Sequence, residues 1–402
     1  MAKKKWMKPR HKIIQNLARL ILGPYCKWKY GITVEKFKEE EERPYLILYN
    51  HQTGFDQFFV GLSFKSTIYY LATEDIFSMG FVSDLLRFAV EPIPIKKQTT
   101  DVGAVMNCLR VAREGGTICI APEGNRTFSG RTAYINPAIA VLAKKIRVPV
   151  VLYKIEGGFG AQPRWSDCVR KGKMRSYVSE VIMPEEYSAM TDEEFVERIR
   201  TGLFVDEAKA DGIFKSKKTA EHIERSAYVC PFCGFAEFES HGNEIECKSC
   251  KRKIVYGEDK RLLGKGFDFP FEFYADWYDY QEDFVNKTDV LEYTENPIFT
   301  DKVKIDEVII RKKKVSFKNN VELKLYGDRL VADEGTENEM VLPYPELSAV
   351  SVLGKNKLNI YHNAKVYQIT GGKSFNALKY VNIYYRWKNI TEGNIDGKFL
   401  GL

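Results

Sequence analysis

His51 and Asp56 stand five positions apart in the stretch LILYNHQTGFDQFF, which runs from an apolar, strand-like segment into Asn50-His51 and on to the acid. A helix turns about 100° per residue, which leaves positions i and i+5 roughly 140° apart and facing different ways. If the two side chains meet, the chain bends between them, and Gly54 is the place for that bend. A histidine held by a carboxylate takes a proton from a hydroxyl at neutral pH. The plain alternative is a polar turn after a buried strand. Two further groups bear on the choice. Lys96 and Lys97 follow the apolar run EPIPI, while Glu123, Gly124 and Arg126 lie in APEGNRTFSG, directly after the strand-like TICI. A glycine-containing loop after a strand brings backbone N–H groups and an arginine fork onto a phosphate, and paired lysines add point charges to the same group. Together these residues describe a site that binds a phosphorylated alcohol and deprotonates it.

A second constellation is made of sulfur. Cys230-x-x-Cys233 and Cys247-x-x-Cys250, in CPFCG and CKSCK, have the spacing of a zinc ribbon. Four thiolates fill a tetrahedral zinc site and leave no open position for catalysis, so the expected metal is structural. Nucleic-acid binding is the functional alternative for such a ribbon, but the chain's modest charge and lack of a basic-aromatic platform make a nucleic-acid partner unlikely. The other four cysteines, Cys26, Cys108, Cys119 and Cys168, are scattered singly, as reduced thiols are, which favours a cytoplasmic setting.

Elements must position these groups, and 402 residues with 44% apolar content suffice for two or three domains with real cores. The net charge of +7 is concentrated at the start, where MAKKKWMKPRHK carries no acid. Behind it Ile13, Ile14, Leu17, Leu20 and Ile21 share a helical stripe, followed by Tyr25, Trp28 and Tyr30. This pattern fits a helix lying in an anionic lipid surface, and equally one packed on its own domain. No stretch has the roughly 20 apolar residues of a spanning helix, and no secretory signal is evident. From about residue 45 to 205 strands such as YLILYN, STIYYLA, GTICIA and VPVVLYKI alternate with helices such as DVGAVMNCLRVAREG, PAIAVLAKKI and TDEEFVERIRTGLF. That alternation predicts an α/β layer domain with a mostly parallel sheet. The last 90 or so residues alternate apolar and polar positions over short strands and end in one helix, SFNALKYVNIYYRWK, which predicts a small β-rich domain.

In this order N-H-x-x-x-x-D, a basic block some 45 residues later, P-E-G-x-R and V-P-V-V resemble the glycerolipid acyltransferase family over about residues 30 to 205. The resemblance implies an acyltransferase of phospholipid biosynthesis, acting on a lysophospholipid such as 1-acyl-glycerol-3-phosphate (lysophosphatidic acid). It implies His51 as general base and Asp56 as the acid that orients it. Glu123, Gly124 and Arg126 then match the block that holds the acceptor's phosphate, with Lys96 and Lys97 beside it. Val148, Pro149 and Val150 match a block assigned to the acyl side. No cofactor is implied for the chemistry, only an acyl-CoA or acyl carrier protein thioester as donor. Asn125 replaces the family's usual threonine, and Lys-Lys replaces Asp-Arg, which places the head group in question because lysine lacks arginine's bidentate contact. No G-x-S-x-G element is present for a serine nucleophile. A catalytically silent lipid-binding or scaffold protein on the same fold is the alternative.

The expected organisation is a basic, membrane-associating N-terminus (1–34), the acyltransferase domain (35–212), a linker (213–226), a zinc ribbon (227–257), an acidic-aromatic connector (258–299) and a β domain with a C-terminal helix (300–391). The β domain weakly resembles a pleckstrin-homology or GRAM-type fold, with a basic edge at Arg311, Lys312, Lys313 and Lys314. The expected setting is peripheral, at the cytoplasmic face of a membrane.

Overall fold

A computed structural model describes residues 5–40, 44–73, 76–77, 81–95, 101–309 and 314–401. Lys96 and Lys97 lie outside these residues, as do Arg311, Lys312 and Lys313 of the expected basic edge. The chain forms two compact units, residues 1–164 with 169–214, and residues 165–168 with 215–402.

In the first unit the order is α1 (Pro9–Tyr30), β1 (Ile32–Val34), β2 (Leu46–Tyr49), α2 (Asp56–Ser63), β3 (Ile68–Thr73), α3 (Phe81–Ala89), β4 (Ile93–Ile95), α4 (Val102–Arg113), β5 (Thr117–Ile120), α5 (Ala138–Ile146), β6 (Val150–Glu156), α6 (Gly158–Ala161), β7 (Met174–Ile182), α7 (Pro184–Ser188) and α8 (Asp192–Leu203). The strands line up as β1-β7-β6-β2-β5-β3-β4, parallel throughout except where β7 runs against β6. Strand alternation sends side chains to two faces. Leu46, Leu48, Ile118, Val150 and Leu152 join one core, with Val111, Ile139, Phe195 and Ile199 from the helices above it. Ile47, Tyr49, Cys119, Val151 and Tyr153 join the other, with Cys26, Tyr30, Phe59 and Val60. Each fully buried large apolar side chain contributes about 1.5–3 kcal/mol. Because both faces are covered, the central strands read as continuous apolar runs.

The stripe on α1 points outward. The helix buries His11, Gln15, Cys26 and Tyr30 and leaves Ile13, Leu17, Leu20, Ile21 and Trp28 more than half exposed. Gln15 holds it to the sheet, its amide bonding both the C=O and the N–H of Ile68. Among the described residues no helix is long and apolar enough to cross a membrane.

The second unit holds the hairpin β8 (Val229–Cys230) and β9 (Gly234–Phe235), then the antiparallel sheet β10 (Phe238–His241), β11 (Glu244–Cys247), β12 (Lys253–Tyr256) and β13 (Leu262–Gly264), then α9 (Tyr274–Lys287). Seven antiparallel strands follow: β14 (Phe299–Glu307), β15 (Val315–Leu325), β16 (Arg329–Ala332), β17 (Met340–Pro343), β18 (Leu347–Leu353), β19 (Lys357–His362) and β20 (Lys365–Gly371), closed by α10 (Leu378–Thr391). Their order is β17-β16-β15-β14-β20-β19-β18. β17 and β18 are the two edges, yet only residues 344–346 join them. The sheet must therefore curl until its edges are neighbours, a half-barrel. Tyr384 of α10 anchors the helix there through a hydrogen bond to the carbonyl of Leu347 (3.0 Å).

Two segments differ from their sequence-based description. The expected linker is packed: Ala220, Ile223 and Ser226 are buried, and Arg225 forks onto both oxygens of Asp167 at 2.8 and 2.9 Å. The acidic-aromatic connector contains the helix α9, which buries Tyr274, Trp277, Tyr278 and Val285 and leaves Asp283 exposed.

Candidate active site

β2 lies where the winding changes sides, with β5 on one flank and β6 on the other. In open parallel sheets the crevice at the carboxyl ends of strands around such a point is where ligands bind. Asn50 ends the strand. Its side-chain amide donates to the carbonyl of Ile155 (2.8 Å) and accepts from the N–H of Ile155 (2.7 Å), which frees the backbone to turn at His51.

The bend falls at residues 53–55, and Asp56 emerges as the first residue of α2. Its buried carboxylate accepts from the ring Nδ1 of His51 (2.9 Å), the N–H groups of Gln52 (2.6 Å) and Thr53 (2.9 Å), and the hydroxyl of Thr53 (2.6 Å). These four donors and the helix N-terminus satisfy a charged acid in a buried position. Since the carboxylate only accepts, the proton on His51 sits on Nδ1. That leaves the Nε2 lone pair free, and Nε2 forms no hydrogen bond to a described residue. Burial lowers the pKa of His51 below its ordinary 6.5, outweighing Asp56, and Arg126 and Arg164 push it further down. The imidazole is neutral at neutral pH, as a base must be.

The loop after β5 grips the same residue from both sides. Glu123 is buried; one carboxylate oxygen accepts from the N–H of His51 (2.7 Å), the other from the N–H of Ala133 (2.6 Å). The N–H of Thr127 returns to the carbonyl of His51 (3.1 Å). Burial pushes Glu123 up to about 8, against the two N–H donors that pull it down. With both oxygens committed to backbone, Glu123 holds the base in place and presents no free atom to a phosphate. Gly124 has φ +69°, and a Cβ there would meet nothing within 4 Å, so the turn needs glycine for its backbone angle, not for space. Arg126 points its guanidinium towards Gly54, and the guanidinium makes no hydrogen bond or ion pair with a described residue. An unpartnered arginine beside a neutral histidine is a fork waiting for an anion.

Arg164 was not legible in the sequence. It is buried, lies 4.2 Å from the ring centroid of Phe128, and donates through Nη1 to the carbonyl of Arg126 (2.7 Å). It thereby fixes the loop that carries the free arginine. Thr53, with its hydroxyl on Asp56, was also missed. Its position three residues ahead of an acid at a helix start is the signal that could have found it.

Val148, Pro149 and Val150 are not brought to this site. The register of β2 on β6 runs from Leu46 opposite Val150 to Tyr49 opposite Tyr153, and His51 follows Tyr49. Val150 is buried at the other end of the strand, and the carbonyl of Pro149 accepts from the N–H of Leu46 (3.0 Å).

In the second unit the Sγ atoms of Cys230, Cys233, Cys247 and Cys250 lie within 4.8 Å of one another and could hold a metal ion. Cys230 and Cys250 are 3.8 Å apart and Cys233 and Cys247 3.6 Å. A tetrahedron of sulfurs about 2.3 Å from a zinc ion has edges of about 3.8 Å, so the donor set fits.

Residues 31–154 match the model of the Acyltransferase family. Among solved structures, the chain is similar to the 1-acyl-sn-glycerophosphate (LPA) acyltransferase PlsC from Thermotoga maritima, at 20% identity and a TM-score of 0.39, over 48% of this chain and 75% of that one. No curated protein matches. The stretch matched by the family model contains His51, Asp56, Glu123, Gly124 and Arg126, and the chain thus carries, in its first unit, a domain of the Acyltransferase family.

Proposed function

We propose that the protein transfers a fatty acyl group from an acyl-CoA or acyl carrier protein thioester to the free hydroxyl of a lysophospholipid, 1-acyl-glycerol-3-phosphate foremost. The observation that carries this reading is the pair His51–Asp56 at 2.9 Å, its Nε2 free, beside the unpartnered guanidinium of Arg126. Nε2 takes the hydroxyl proton as the acceptor oxygen attacks the thioester carbonyl. The C–O bond forms, the C–S bond breaks, and the thiolate leaves with the proton from the imidazolium. A thioester is already activated, so no covalent enzyme intermediate is required. Asp56 keeps the ring in one tautomer and stabilises its charge. Arg126, and with it Lys96 and Lys97, would bind the phosphate of the acceptor.

Membrane association at the cytoplasmic face is part of the proposal. It is supported by the outward apolar side chains of α1 and by Phe81, Leu85 and Phe88 of α3, which are also exposed. In the second unit the four thiolates would hold a structural zinc ion, and the half-barrel would serve as a PH- or GRAM-like accessory domain.

The test is turnover of purified protein on acyl-CoA with a panel of lyso-acceptors. His51→Ala should lower the rate by about two or more orders of magnitude with the fold intact, and Asp56→Asn nearly as much. Arg126→Ala should chiefly raise the acceptor's KM. Wild-type turnover by His51→Ala on every acceptor would refute the reading. Absence of turnover in the wild type as well would favour a silent lipid-binding scaffold.

A further inference from the structure

Attack on a thioester puts negative charge on its carbonyl oxygen, and a fixed donor aimed at that oxygen is a large part of catalysis in such reactions. The turn that carries His51 has spent most of its donors elsewhere. The N–H of His51 is on Glu123, those of Gln52 and Thr53 are on Asp56, and that of Phe55 is on the hydroxyl of Thr53. This leaves the N–H of Gly54, which lies beside the Arg126 guanidinium that the reading above gives to the acceptor's phosphate. The side-chain amide of Gln52 has no partner, but it is fully enclosed and packed against Gly158, so no substrate meets it.

Tyr49 is placed differently. It is the last residue of β2, two positions before His51, and its ring meets the imidazole edge to face with centroids 5.6 Å apart. Only 7% of the residue is exposed, yet its hydroxyl bonds to no described residue and is not among the polar atoms sealed from solvent. Tyr153, directly opposite it on β6, shows how a buried phenol is ordinarily satisfied. Its hydroxyl meets Oγ of Ser63 (2.6 Å), Oγ of Ser176 (2.8 Å) and the carbonyl of Phe59 (3.2 Å). A phenol held in the core without a hydrogen bond costs stability, and this one lies against the candidate base. Burial, with Cys119, Asp56, Tyr70 and Glu123 around it, holds its pKa well above the ordinary 10. It therefore keeps its proton, and with it the ability to donate, at any working pH. The distances also suit. A hydroxyl that yields its proton to Nε2 lies about 3 Å from it, and the carbonyl carbon it attacks lies about 3–3.5 Å further on. A ring centred 5.6 Å from the imidazole borders that space.

We propose that the hydroxyl of Tyr49 donates a hydrogen bond to the thioester's carbonyl oxygen as negative charge develops on it. The proposal rests on the acyl-transfer reading above and adds the group that holds the oxyanion. As Nε2 takes the proton, the acceptor oxygen bonds to the carbonyl carbon and a C=O electron pair moves onto the oxygen held by Tyr49. When that pair returns, the C–S bond breaks and the thiolate leaves with the imidazolium proton.

Tyr49→Phe keeps the ring against the imidazole and removes only the donor. It should lower kcat by about a hundredfold while both KM values stay within a few-fold. The acid limb of the pH profile of kcat, which reports His51, should stay in place. Replacing Tyr49 by 3-fluorotyrosine keeps the hydroxyl, makes it a stronger donor, and should retain the rate that Tyr49→Phe loses. Melting curves check that the variants fold. A second readout needs no turnover: a long-chain alkyl phosphonate carries the charge and shape of the tetrahedral intermediate. It should bind the wild type about tenfold more tightly than Tyr49→Phe, as expected for one lost hydrogen bond to a charged group. If folded Tyr49→Phe keeps the wild-type kcat and phosphonate affinity, the hydroxyl is not the donor, and the transfer reading stands without it. An equal loss in Tyr49→Phe and the fluorotyrosine protein would show a packing role and would also overturn the proposal. If the phosphonate distinguishes the two proteins but the wild type turns over no donor, the anion-holding role stands and the transfer reading falls.

Discussion

At the scale of single residues, the site is two clamps that share His51. Asp56 holds its ring, and Glu123 and Thr127 hold its backbone. The carboxyl groups do different work because their surroundings differ. Asp56 has four donors around its two oxygens, while Glu123 is pushed up to about 8 by burial that its two N–H donors only partly offset. A carboxyl whose folded-state pKa is raised contributes stability that is complete below its unfolded value of 4.5 and is lost as pH rises through about 8. His51 has the opposite sense, with a lowered pKa whose contribution is present above 6.5 and lost as pH falls through the lowered value. The expected outcome is a melting temperature that falls between about 4.5 and about 8 and levels off above that, and a Glu123→Gln variant in which that fall is reduced. Thermal melts of both proteins from below pH 4.5 to above pH 8 would check it; identical slopes across that window would show that Glu123 stays charged in the fold.

At the scale of elements, α1 separates what holds it from what it offers. Gln15 pins it to β3, and His11, Cys26 and Tyr30 are buried, while Ile13, Leu17, Leu20 and Ile21 stand exposed. Part of the basic cluster is spent within the unit: Lys8 pairs with Glu91 at 2.5 Å and Arg10 lies over the ring of Phe88. The remaining lysines are each worth about 1 kcal/mol near an anionic bilayer, and each buried aliphatic side chain about 1.5–3 kcal/mol. Deleting the helix would remove Gln15 as well, so the cleaner change is Leu17→Gln with Leu20→Gln and Ile21→Gln. Flotation with anionic liposomes should show weaker binding at unchanged melting temperature, and unchanged flotation would move the membrane face elsewhere. Elements were legible in the sequence where one period dominates. β2, β5, β6, α4, α5 and α8 all lie within a few residues of their apolar runs. α9 was not, because its aromatic residues are buried by contacts distant in sequence and its acids mask the helical period. The turn from His51 to Asp56 was legible because it is local. Arg164 and the position of Val148–Val150 were not, since neither a distant hydrogen bond nor the end of a strand that faces a site is written in a motif.

At the scale of the whole molecule, the candidate base and the four clustered cysteines fall in different compact units. Closed tetrahedral thiolate sites supply folding free energy on the order of 10 kcal/mol and no catalytic vacancy. Chelation, or Cys230→Ser, should therefore unfold the region around β8 to β12 while leaving acyl transfer within a few-fold of its starting value. Metal analysis, circular dichroism and turnover on the same samples would read this out. Parallel loss of metal and activity on His51→Ala would overturn the separation. The whole chain is the right material for the experiment, since residues 165–168, which precede β7 in sequence, belong to the second unit. Trp165 packs there between Tyr256 and Tyr274, with ring centroids 6.0 and 6.3 Å away.

The amide of Asn50 stands in for one rung of a β-ladder, since it satisfies both the N–H and the C=O of Ile155 where a backbone neighbour would otherwise do so. This makes a single backbone proton a gauge of the site. Deuterium replaces an amide proton only when its hydrogen bond opens, so the exchange rate at Ile155 reports whether the chain entering His51 is seated. Asn50→Ala removes the acceptor and should speed exchange at Ile155 selectively. Unaltered exchange at Ile155 in Asn50→Ala would mean that another group guards it. The gauge needs no substrate, no donor and no membrane, and it can be read before any acyl acceptor is known.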